Sequence, residues 1–488
     1  MGTVPEVRIR DANYAPARPD GAFVLYWMSA HHRARWNFAL ERAVEWAREF
    51  GRPLLVLEHL PCGRRWDSDR LHRFALEGMA ANAAALRRAA VRYYPFVARR
   101  PGEGMGLVAA LAERACAVVA DEFPSPGSSR RVREAAEASP VLVEAVDSNG
   151  LLPLRAAGKV FATAHSLRRF LQRELPVHLR AFPSANPLAR VRLPALRGLP
   201  RDITRRWPPA GARLLSGSAS ALAALSVSHS VSPGKARGGA NAAAAALRRF
   251  LRSRLVHYAE DRNHPDRDAT SGLSPYLHHG HISAHEIASR IMTAEDWATD
   301  RIAAKTDGSR TGWWGMSASA EAFLDQLVTW REVGYNMAWH RADCDRYASL
   351  PEWARATLAR HAGDRRDPVY SREALEAAET HDPLWNAAQR QLVREGRLHN
   401  YLRMLWGKKI LQWSPSPEEA LDRMIHLNNT YALDGRNPNS LSGIFWVLGR
   451  YDRPWGPERP IFGTVRYMTS ASTVRKVRVR DYLERYGP

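Results

Sequence analysis

The chain has 488 residues, 45% of them hydrophobic, and its 71 basic against 50 acidic residues give a formal net charge of +21. This composition excludes a disordered or collagen-like chain and is typical of a globular protein with two or three domains. The positive charge favours a polyanionic partner such as nucleic acid. A generally arginine-rich composition would raise the same charge without any such partner, so the charge alone leaves both interpretations open.

Three cysteines, Cys62, Cys116 and Cys344, are spread along the chain, and none belongs to a C-x-x-C pair. Their number and spacing argue against a disulfide framework and a structural zinc site, so we expect no metal. No stretch reaches the roughly 18 apolar residues that a membrane-spanning helix needs. The N-terminal residues also lack the apolar core of a signal peptide. We therefore expect a cytoplasmic protein without a membrane segment.

Residues 1–185 alternate between strand and helix patterns. Short apolar runs predict buried strands at 23–28, 53–57, 117–120 and 141–146. Helical spacing of apolar residues predicts helices at 35–50 and near 71–93. This alternation predicts an α/β domain with a doubly wound, Rossmann-like parallel sheet and helices on both faces. The domain lacks the G-x-G-x-x-G fingerprint of dinucleotide-binding sheets.

Residues 186–245 contain several prolines, a Ser-Gly-Ser-Ala-Ser run and a Gly-Gly pair. This composition predicts an inter-domain connector that is mobile in part or wraps a domain surface. Across 246–488 the patterns are helical, most clearly at 320–338, 383–394 and 401–413. We therefore expect 246–488 to form an all-helical domain.

Tyr258 is followed by the run Thr270-Ser271-Gly272-Leu273-Ser274, which directly precedes a predicted helix. Small hydroxyl residues and a glycine at a helix start expose backbone N–H groups that suit a phosphate. An ordinary capped helix start would show the same local pattern. The run alone therefore does not decide between a phosphate site and a simple cap.

Tryptophan is concentrated in the helical part, where nine of the 16 tryptophans fall between Trp297 and Trp413. Tryptophan usually fills core space. Indoles are also easily oxidised, so closely spaced tryptophans are suited to relaying electrons. Residue type and spacing therefore leave both roles open for Trp385 and Trp406 on neighbouring predicted helices.

Three segments carry the most specific motif of the chain. They are Thr380–Gln389 (THDPLWNAAQ), Gly396–His399 (GRLH) and Leu402–Trp413 (LRMLWGKKILQW). Together with Leu433-Asp434-Gly435-Arg436 they resemble class II cyclobutane pyrimidine dimer photolyases, a branch of the photolyase/cryptochrome family. The resemblance covers most of the chain and is densest over 255–470.

This resemblance implies an α/β antenna-type domain at 1–185 and a helical FAD-binding catalytic domain at 246–488. It also implies a carbon–carbon lyase that repairs cyclobutane pyrimidine dimers in UV-damaged DNA under blue light. The electron for repair would come from reduced FAD, and the expected protein is a monomer.

The resemblance further implies which residues bind the cofactor. The segment expected at the FAD diphosphate comprises Tyr258, Thr270, Ser271, Gly272, Leu273 and Ser274. Arg403 and Asp434 would form a buried ion pair near the cofactor, with Gly435 next to it, and Asn428 would lie beside flavin N5. A neutral amide can accept a hydrogen bond from N5–H and so favour the reduced flavin.

For electron supply, the resemblance implies that Trp406 lies nearest the flavin and that Trp385 follows it. Trp413 stands seven residues after Trp406, two helical turns along on the same face. It would be either a packing residue or a side branch.

For the substrate, the resemblance implies that Glu332 and Trp446 face the flipped-out dimer. A carboxyl group in an apolar pocket has a raised pKa, so Glu332 could stay protonated and stabilise negative charge on a thymine carbonyl. Asn336, one turn further along the helix, could support it. Exposed basic residues would hold the DNA backbone without sequence preference. The candidates are Lys408, Lys409, Arg453, Arg466, Arg475, Lys476, Arg478 and Arg480.

The chain departs from the class II pattern at three places. Trp330-Arg331-Glu332 stands where Arg-Arg-Glu is common, and Asn437-Pro438-Asn439-Ser440 replaces Asp-Pro-Asn-Gly. Both lie near the expected pocket. Ala30-His31-His32-Arg33 replaces Arg-Asp-Gln-Arg in the antenna domain, which leaves open whether a second chromophore, a deazaflavin or a folate, binds there.

Three alternatives stay open. The chain could be a cryptochrome-like flavin photoreceptor, a photolyase for another photoproduct, or a DNA-binding protein without cofactor. The presence of Glu332, Asn428 and Trp446 favours repair.

Overall fold

The structure is a computed structural model that describes residues 3–488. It divides into two compact units. The α/β unit comprises the described residues up to Gly158, Glu174–Arg248 and Leu273–Ala294. The helical unit comprises Lys159–Arg173, Arg249–Gly272 and Glu295–Pro488. This division follows packing and crosses the predicted boundaries at 185 and 245, so the functional domain limits stay a prediction.

The α/β unit contains a six-stranded sheet in the order β1-β6-β5-β2-β3-β4. Its strands are β1 (Ile9–Asp11), β2 (Phe23–Met28), β3 (Leu54–Leu60), β4 (Arg92–Val97), β5 (Ala115–Glu122) and β6 (Val143–Asp147). Strand β1 pairs antiparallel with β6, and all other pairs are parallel. The five parallel strands run outward in both directions from β2, so the predicted doubly wound α/β fold is confirmed.

Burial explains which strands the sequence revealed. All six residues of β2 and all eight of β5 are buried, as expected for strands of a covered parallel sheet, although β5 ends in the charged Asp121 and Glu122. Strand β4 was missed because the helical pattern at 71–93 was extended too far. The helix ends at Leu86, and the aromatic residues that follow form the edge strand, where Pro95 is tolerated.

The helices follow in chain order. They are α1 (Phe38–Glu49), α2 (Asp69–Leu86), α3 (Leu107–Ala112), α4 (Pro126–Glu137), α5 (Ala164–His178), α6 (Arg201–Arg206), α7 (Ala212–Leu215), α8 (Ala219–Leu222), α9 (Ala240–Ser253), α10 (Tyr258–Asp261), α11 (Ser274–His278), α12 (Ala284–Ala294), α13 (Ala318–Leu324), α14 (Arg331–His340), α15 (Glu352–Arg360), α16 (Arg372–Glu376), α17 (Pro383–Glu395), α18 (Asn400–Trp413), α19 (Pro417–Tyr431), α20 (Pro438–Val447), α21 (Ser470–Lys476) and α22 (Arg480–Tyr486). The predicted helical character of the second part of the chain is confirmed, whereas its bounds at 246–488 stay a prediction.

The segment predicted as a connector packs on the α/β unit. Ile203 and Trp207 are buried in the apolar cluster that also holds β2 and β5 side chains. Tyr94 Oη donates to the Trp207 carbonyl. This part of 186–245 therefore wraps the surface of the α/β unit.

Helices α17 to α20 form the core of the helical unit. Two glycines let α20 approach its neighbours closely. A Cβ on Gly334 of α14 would lie 2.6 Å from the Pro438 carbonyl oxygen. A Cβ on Gly407 of α18 would lie 2.5 Å from the Val447 side chain. Both glycines therefore set the position of α20, the helix that carries Trp446.

Within residues 3–488, no helix is long and apolar enough to cross a membrane. Cys62, Cys116 and Cys344 are all free and buried.

Candidate cofactor and substrate site

The THDPLWN motif begins helix α17. Asp382 caps the helix by accepting from Trp385 N at 3.1 Å, and Pro383 occupies the first helical position, where a missing N–H costs nothing. This cap fixes the start of α17 and so the position of Trp385 one turn later.

Trp385 and Trp406 lie together in the core. Trp385 Nε1 donates to the Trp406 carbonyl at 3.0 Å, and Trp406 Nε1 donates to Gln389 Oε1 at 2.9 Å. Trp385, Trp406 and Gln389 are all buried. Both indole N–H groups are therefore satisfied, and the two rings are held in place.

Trp413 touches the same pair. Its ring lies 5.6 Å from the Trp385 ring in an edge-on arrangement. On its other side it contacts Tyr370 at 5.4 Å and the exposed His381 at 5.3 Å. The structure thus places Trp413 next to Trp385, between the core and an exposed residue, whether it serves as packing or as a branch.

Asn428 and the Arg403–Asp434 ion pair form one polar cluster. Arg403 Nη2 lies 3.2 Å from Asp434 Oδ1, and both side chains are mostly buried. Arg403 Nη1 donates to Asn428 Oδ1 at 3.2 Å. The expected ion pair is therefore present. Because Arg403 stands three residues before Trp406, the cluster lies one turn of α18 from the tryptophan pair.

The tight backbone of this cluster explains the need for glycine after Asp434. A Cβ on Gly435 would lie 3.0 Å from the Asn428 carbonyl oxygen. The segment 437–440, which departs from the family motif, still caps the start of α20. Asn437 caps α20 by accepting from Ser440 N at 2.9 Å, which an Asp would do equally well.

Tyr258 and the segment from Thr270 to Gly272 form the first part of the predicted phosphate site. Tyr258 packs edge-on against Phe250 and Phe323, and burial raises the pKa of its hydroxyl. Arg254 Nη1 donates to the Thr270 carbonyl at 3.1 Å. Gly272 has a φ of +67°, and a Cβ there would meet no atom within 4 Å.

The remaining two residues of the segment belong to the other unit. Leu273 and Ser274 lie in the α/β unit, where Ser274 begins α11. The structure therefore brings Tyr258, Thr270, Ser271 and Gly272 into the helical unit with the tryptophans, and it assigns Leu273 and Ser274 separately. Their role at a diphosphate stays a prediction.

The helix that carries Trp330-Arg331-Glu332 contains a π-helical turn. Helix α13 continues through the π-helical segment Asp325–Trp330 into α14. Asp325 anchors this turn, because it pairs with Arg168 at 2.7 Å and accepts from Trp330 Nε1 at 3.1 Å. Such turns are frequent at functional sites.

The side chains of this helix differ in how far they are buried. Gln326 and Trp330 are half-buried, whereas Glu332 and Asn336 are buried. Asn336 uses its amide to hold a neighbouring segment, since it donates to the Lys159 carbonyl at 2.9 Å and accepts from Phe161 N at 3.1 Å. Its support of Glu332 stays a prediction, and Gln326 is a second polar candidate that the motif did not indicate.

Trp446 is half-buried beside the Lys408 amine and the Arg466 guanidinium. Lys408 Nζ and the Arg466 guanidinium each lie 5.3 Å from its ring centre. Arg466 also lies 4.0 Å from the Trp455 ring and pairs with Asp452 at 2.9 Å. The half-buried indole can stack on a flat ring, and the Arg466 guanidinium beside it would stabilise negative charge that develops there.

Lys408 and Lys409 lie inside the helical unit rather than on its surface. Lys408 is 1% exposed and donates to the Val447 carbonyl. Lys409 is 9% exposed, lies 3.8 Å from Asp382 and stands over the Trp413 ring. Helix α18 is buried on almost every side, so its lysines have no solvent face. Arg453 is exposed, and the tail contributes Arg475, Lys476, Arg478 and Arg480 as further exposed cations.

We predict that Lys408 makes the folding stability of the protein increase as the pH rises above about 7. Burial lowers the pKa of Lys408 from 10.5 to about 7. Between these values the unfolded chain binds more protons than the folded one, so stability rises with pH across this window and falls as the pH drops towards 7. A single group contributes at most about 1.4 kcal/mol per pH unit.

The test compares Lys408→Met with the wild type in urea unfolding between pH 7.5 and 9.5. We expect the wild type to gain stability with pH relative to Lys408→Met, and the variant to be the more stable of the two at pH 7.5. Lys476→Met, at an exposed lysine, is the control. Parallel pH dependences in wild type and Lys408→Met would contradict the prediction.

Sequence reasoning missed two polar residues at this site. Gln389 holds Trp406, as described above. Both ring nitrogens of His399 are buried without a partner among residues 3–488, and burial lowers the pKa of His399 to about 4. A neutral imidazole offers one donor and one acceptor, and His399 lies one turn before Arg403. The sequence motif already contained His399, but it did not indicate a role for this residue. Only its buried ring nitrogens, which lack a hydrogen-bond partner among the described residues, point to a polar ligand.

Comparison with known proteins identifies the family. The chain is 33% identical over 479 residues to a deoxyribodipyrimidine photo-lyase of Methanothermobacter thermautotrophicus, covering 98% of this chain and 97% of the relative. It is 35% identical over 496 residues to that of Oryza sativa subsp. japonica, covering 98% and 89%. This chain belongs to the deoxyribodipyrimidine photo-lyase family. The expected family and enzyme type are thereby confirmed.

A solved structure supports the fold. The crystal structure of a bacterial class III photolyase from Agrobacterium tumefaciens superposes with a TM-score of 0.67 at 19% identity, covering 96% of this chain and 86% of that one. At this identity the match shows the fold alone. No family model matches the chain.

Proposed function

We propose that this photolyase repairs cyclobutane pyrimidine dimers in UV-damaged DNA in the class II manner, with reduced FAD as its electron source. The observation that carries the proposal is that two clusters lie next to each other, because each contains one residue of α18. The Asn428–Arg403–Asp434 cluster lies one helical turn from the Trp406–Trp385 pair. An electron relay that begins beside a polar cofactor cluster is what photoreduction requires.

The residues present fit FAD. The partnerless ring nitrogens of His399 offer a donor and an acceptor. Asn428 Oδ1 accepts one hydrogen bond, from Arg403, and retains a second lone pair. These groups, with Tyr258, Thr270, Ser271, Gly272 and Gly435, would hold the cofactor. When bound and reduced, FAD would supply the electron that splits the dimer and would take it back afterwards.

The chain's own residues would then do three things. Trp406, with Trp385 behind it, would pass electrons inward. Trp446 would receive the flipped-out dimer, and the Arg466 guanidinium 5.3 Å from its ring would stabilise the added charge. A protonated Glu332 would donate a hydrogen bond to a base carbonyl. The exposed Arg453 and the exposed cations near the C-terminus would hold the DNA backbone.

A second chromophore is proposed for the α/β unit. Trp36 adopts a φ of 49°, in the left-handed region that bulky residues rarely occupy. Its indole N–H is buried without a partner among the described residues. Strain and an orphan donor together favour a ligand near the carboxyl ends of the parallel strands. A deazaflavin or a folate would fit this role, and the pigments released on unfolding would distinguish them.

The test uses the purified protein and an oligonucleotide that carries one cyclobutane dimer. With chemically reduced protein and blue light, we expect the dimer to disappear, and in the dark to persist. An oligonucleotide with a different photoproduct is the control for specificity. Undiminished dimer in the light, with fully reduced flavin present, would overturn the proposal. Flavin photochemistry without repair would indicate a photoreceptor, and a colourless preparation would indicate a DNA-binding protein without cofactor.

A further inference from the structure

Ser440 lies at the position where the motif of the family has glycine, and its hydroxyl contacts Asn428. Asn428 Nδ2 donates to Ser440 Oγ at 2.8 Å, and both residues are buried. Ser440 stands in the first turn of α20, where the Asn437 cap fixes its backbone. The hydroxyl is therefore presented to Asn428 by a rigid element.

The remaining contacts of Asn428 account for almost all of its hydrogen-bonding capacity. Its second N–H donates to Asn429 Oδ1 at 3.1 Å, and its Oδ1 accepts from Arg403 at 3.2 Å. An asparagine amide has two N–H donors and two acceptor lone pairs. Both donors are thus used within the protein, and one lone pair on Oδ1 remains.

We propose that Ser440 is a positioning residue that keeps Asn428 as a hydrogen-bond acceptor towards the flavin. Asn429 and Arg403 favour the same orientation of the amide, and Ser440 occupies the N–H that would otherwise be free. A flavin N5 that carries a hydrogen is a donor and matches this acceptor, whereas N5 of oxidised flavin is itself an acceptor and does not. The hydroxyl of Ser440 therefore shifts the cofactor towards its reduced state.

This inference rests on the proposed FAD function and predicts a redox effect. In Ser440→Ala and Ser440→Gly, one buried N–H of Asn428 loses its partner and the amide is held less firmly. One hydrogen bond of this kind corresponds to about a fivefold change in an equilibrium. We expect the ratio of reduced to oxidised flavin, measured by absorbance at a fixed potential, to fall about fivefold in both variants. Ser440→Thr keeps the hydroxyl and should restore the ratio.

Ser442 provides a matched control on the same helix. It is a buried serine whose hydroxyl lies 3.5 Å from Tyr451 Oη, away from Asn428. Ser442→Ala should leave the redox ratio unchanged. A thermal unfolding measurement on every variant separates loss of structure from loss of positioning.

The outcomes distinguish this inference from the proposed function. If Ser440→Ala and Ser440→Gly bind FAD and repair dimers but keep the wild-type redox ratio, the positioning role is wrong and the proposed function stands. Equal shifts in Ser440→Ala and Ser442→Ala would also overturn it, because they would reflect general loosening of α20. A wild type without flavin would refute the proposed function itself.

Discussion

Replacing Trp406 by Phe should abolish photoreduction of oxidised flavin while leaving repair by chemically reduced protein largely intact. Phenylalanine preserves an aromatic ring in the core but is far harder to oxidise than indole. Of the two tryptophans on α18, Trp406 is the nearer to the Arg403–Asn428 cluster, so its loss would interrupt the proposed relay at its inner end. Repair started from reduced flavin does not draw on the relay and should continue.

The measurement is the rate of flavin reduction under blue light with an external electron donor, followed by dimer repair after dithionite reduction. Removing the indole also leaves Gln389 Oε1 without its donor, at a cost of about 1–3 kcal/mol in folding stability. Trp297→Phe is the control, because the indole N–H of Trp297 is likewise hydrogen-bonded, here to the Trp314 carbonyl, while its ring packs on Trp314. Normal photoreduction in Trp406→Phe would show that electrons take another route.

Replacing Arg403 by Met should destabilise the helical unit and release the cofactor. Asp434 would keep a mostly buried negative charge without the pairing that Arg403 gives it, and breaking such a pair from one side costs about 3 kcal/mol. Asn428 would lose the donor that fixes its Oδ1. We therefore expect lower stability in urea and a lower ratio of flavin to protein absorbance after gel filtration.

A second variant separates these two effects. Arg403→Met combined with Asp434→Leu removes both charges, so much of the stability should return while flavin binding stays weak. Arg341→Met is the control, because the Arg341–Asp343 pair is exposed and such pairs contribute about 0–1 kcal/mol. Full flavin content in Arg403→Met would place the cofactor away from this cluster.

The family motif pointed to residues that the structure brings together, because they lie close in sequence on rigid elements. Trp385 is fixed by the Asp382 cap and Arg403 by its helix, so their spacing translates directly into proximity. Burial of charged residues was harder to anticipate. Two adjacent lysines on α18 suggested surface cations, yet both lie on buried faces of that helix.

Apart from the Arg403–Asp434 pair, the hydrogen-bond partners of these side chains were not predicted from the sequence. Asn428 gains Ser440 from the next helix, and Asn336 is bound to the backbone of a segment far away in the chain. The contact between Asn428 and Ser440 depends on how closely α20 approaches its neighbouring helices. Gly334 and Gly407 allow this close approach once α20 is packed between α14 and α18.

The sequence by itself determined the strand–helix alternation, the helical region and the membership of a photolyase-like family. These features are encoded locally, in apolar periodicity, helix caps and short motifs whose residues need no distant partner. The tertiary structure alone decided that Lys408 is buried beneath Trp446 and that the Asn428 amide is locked by three neighbours. Desolvation and hydrogen-bond saturation are properties of packed surroundings, and a one-dimensional pattern does not contain them.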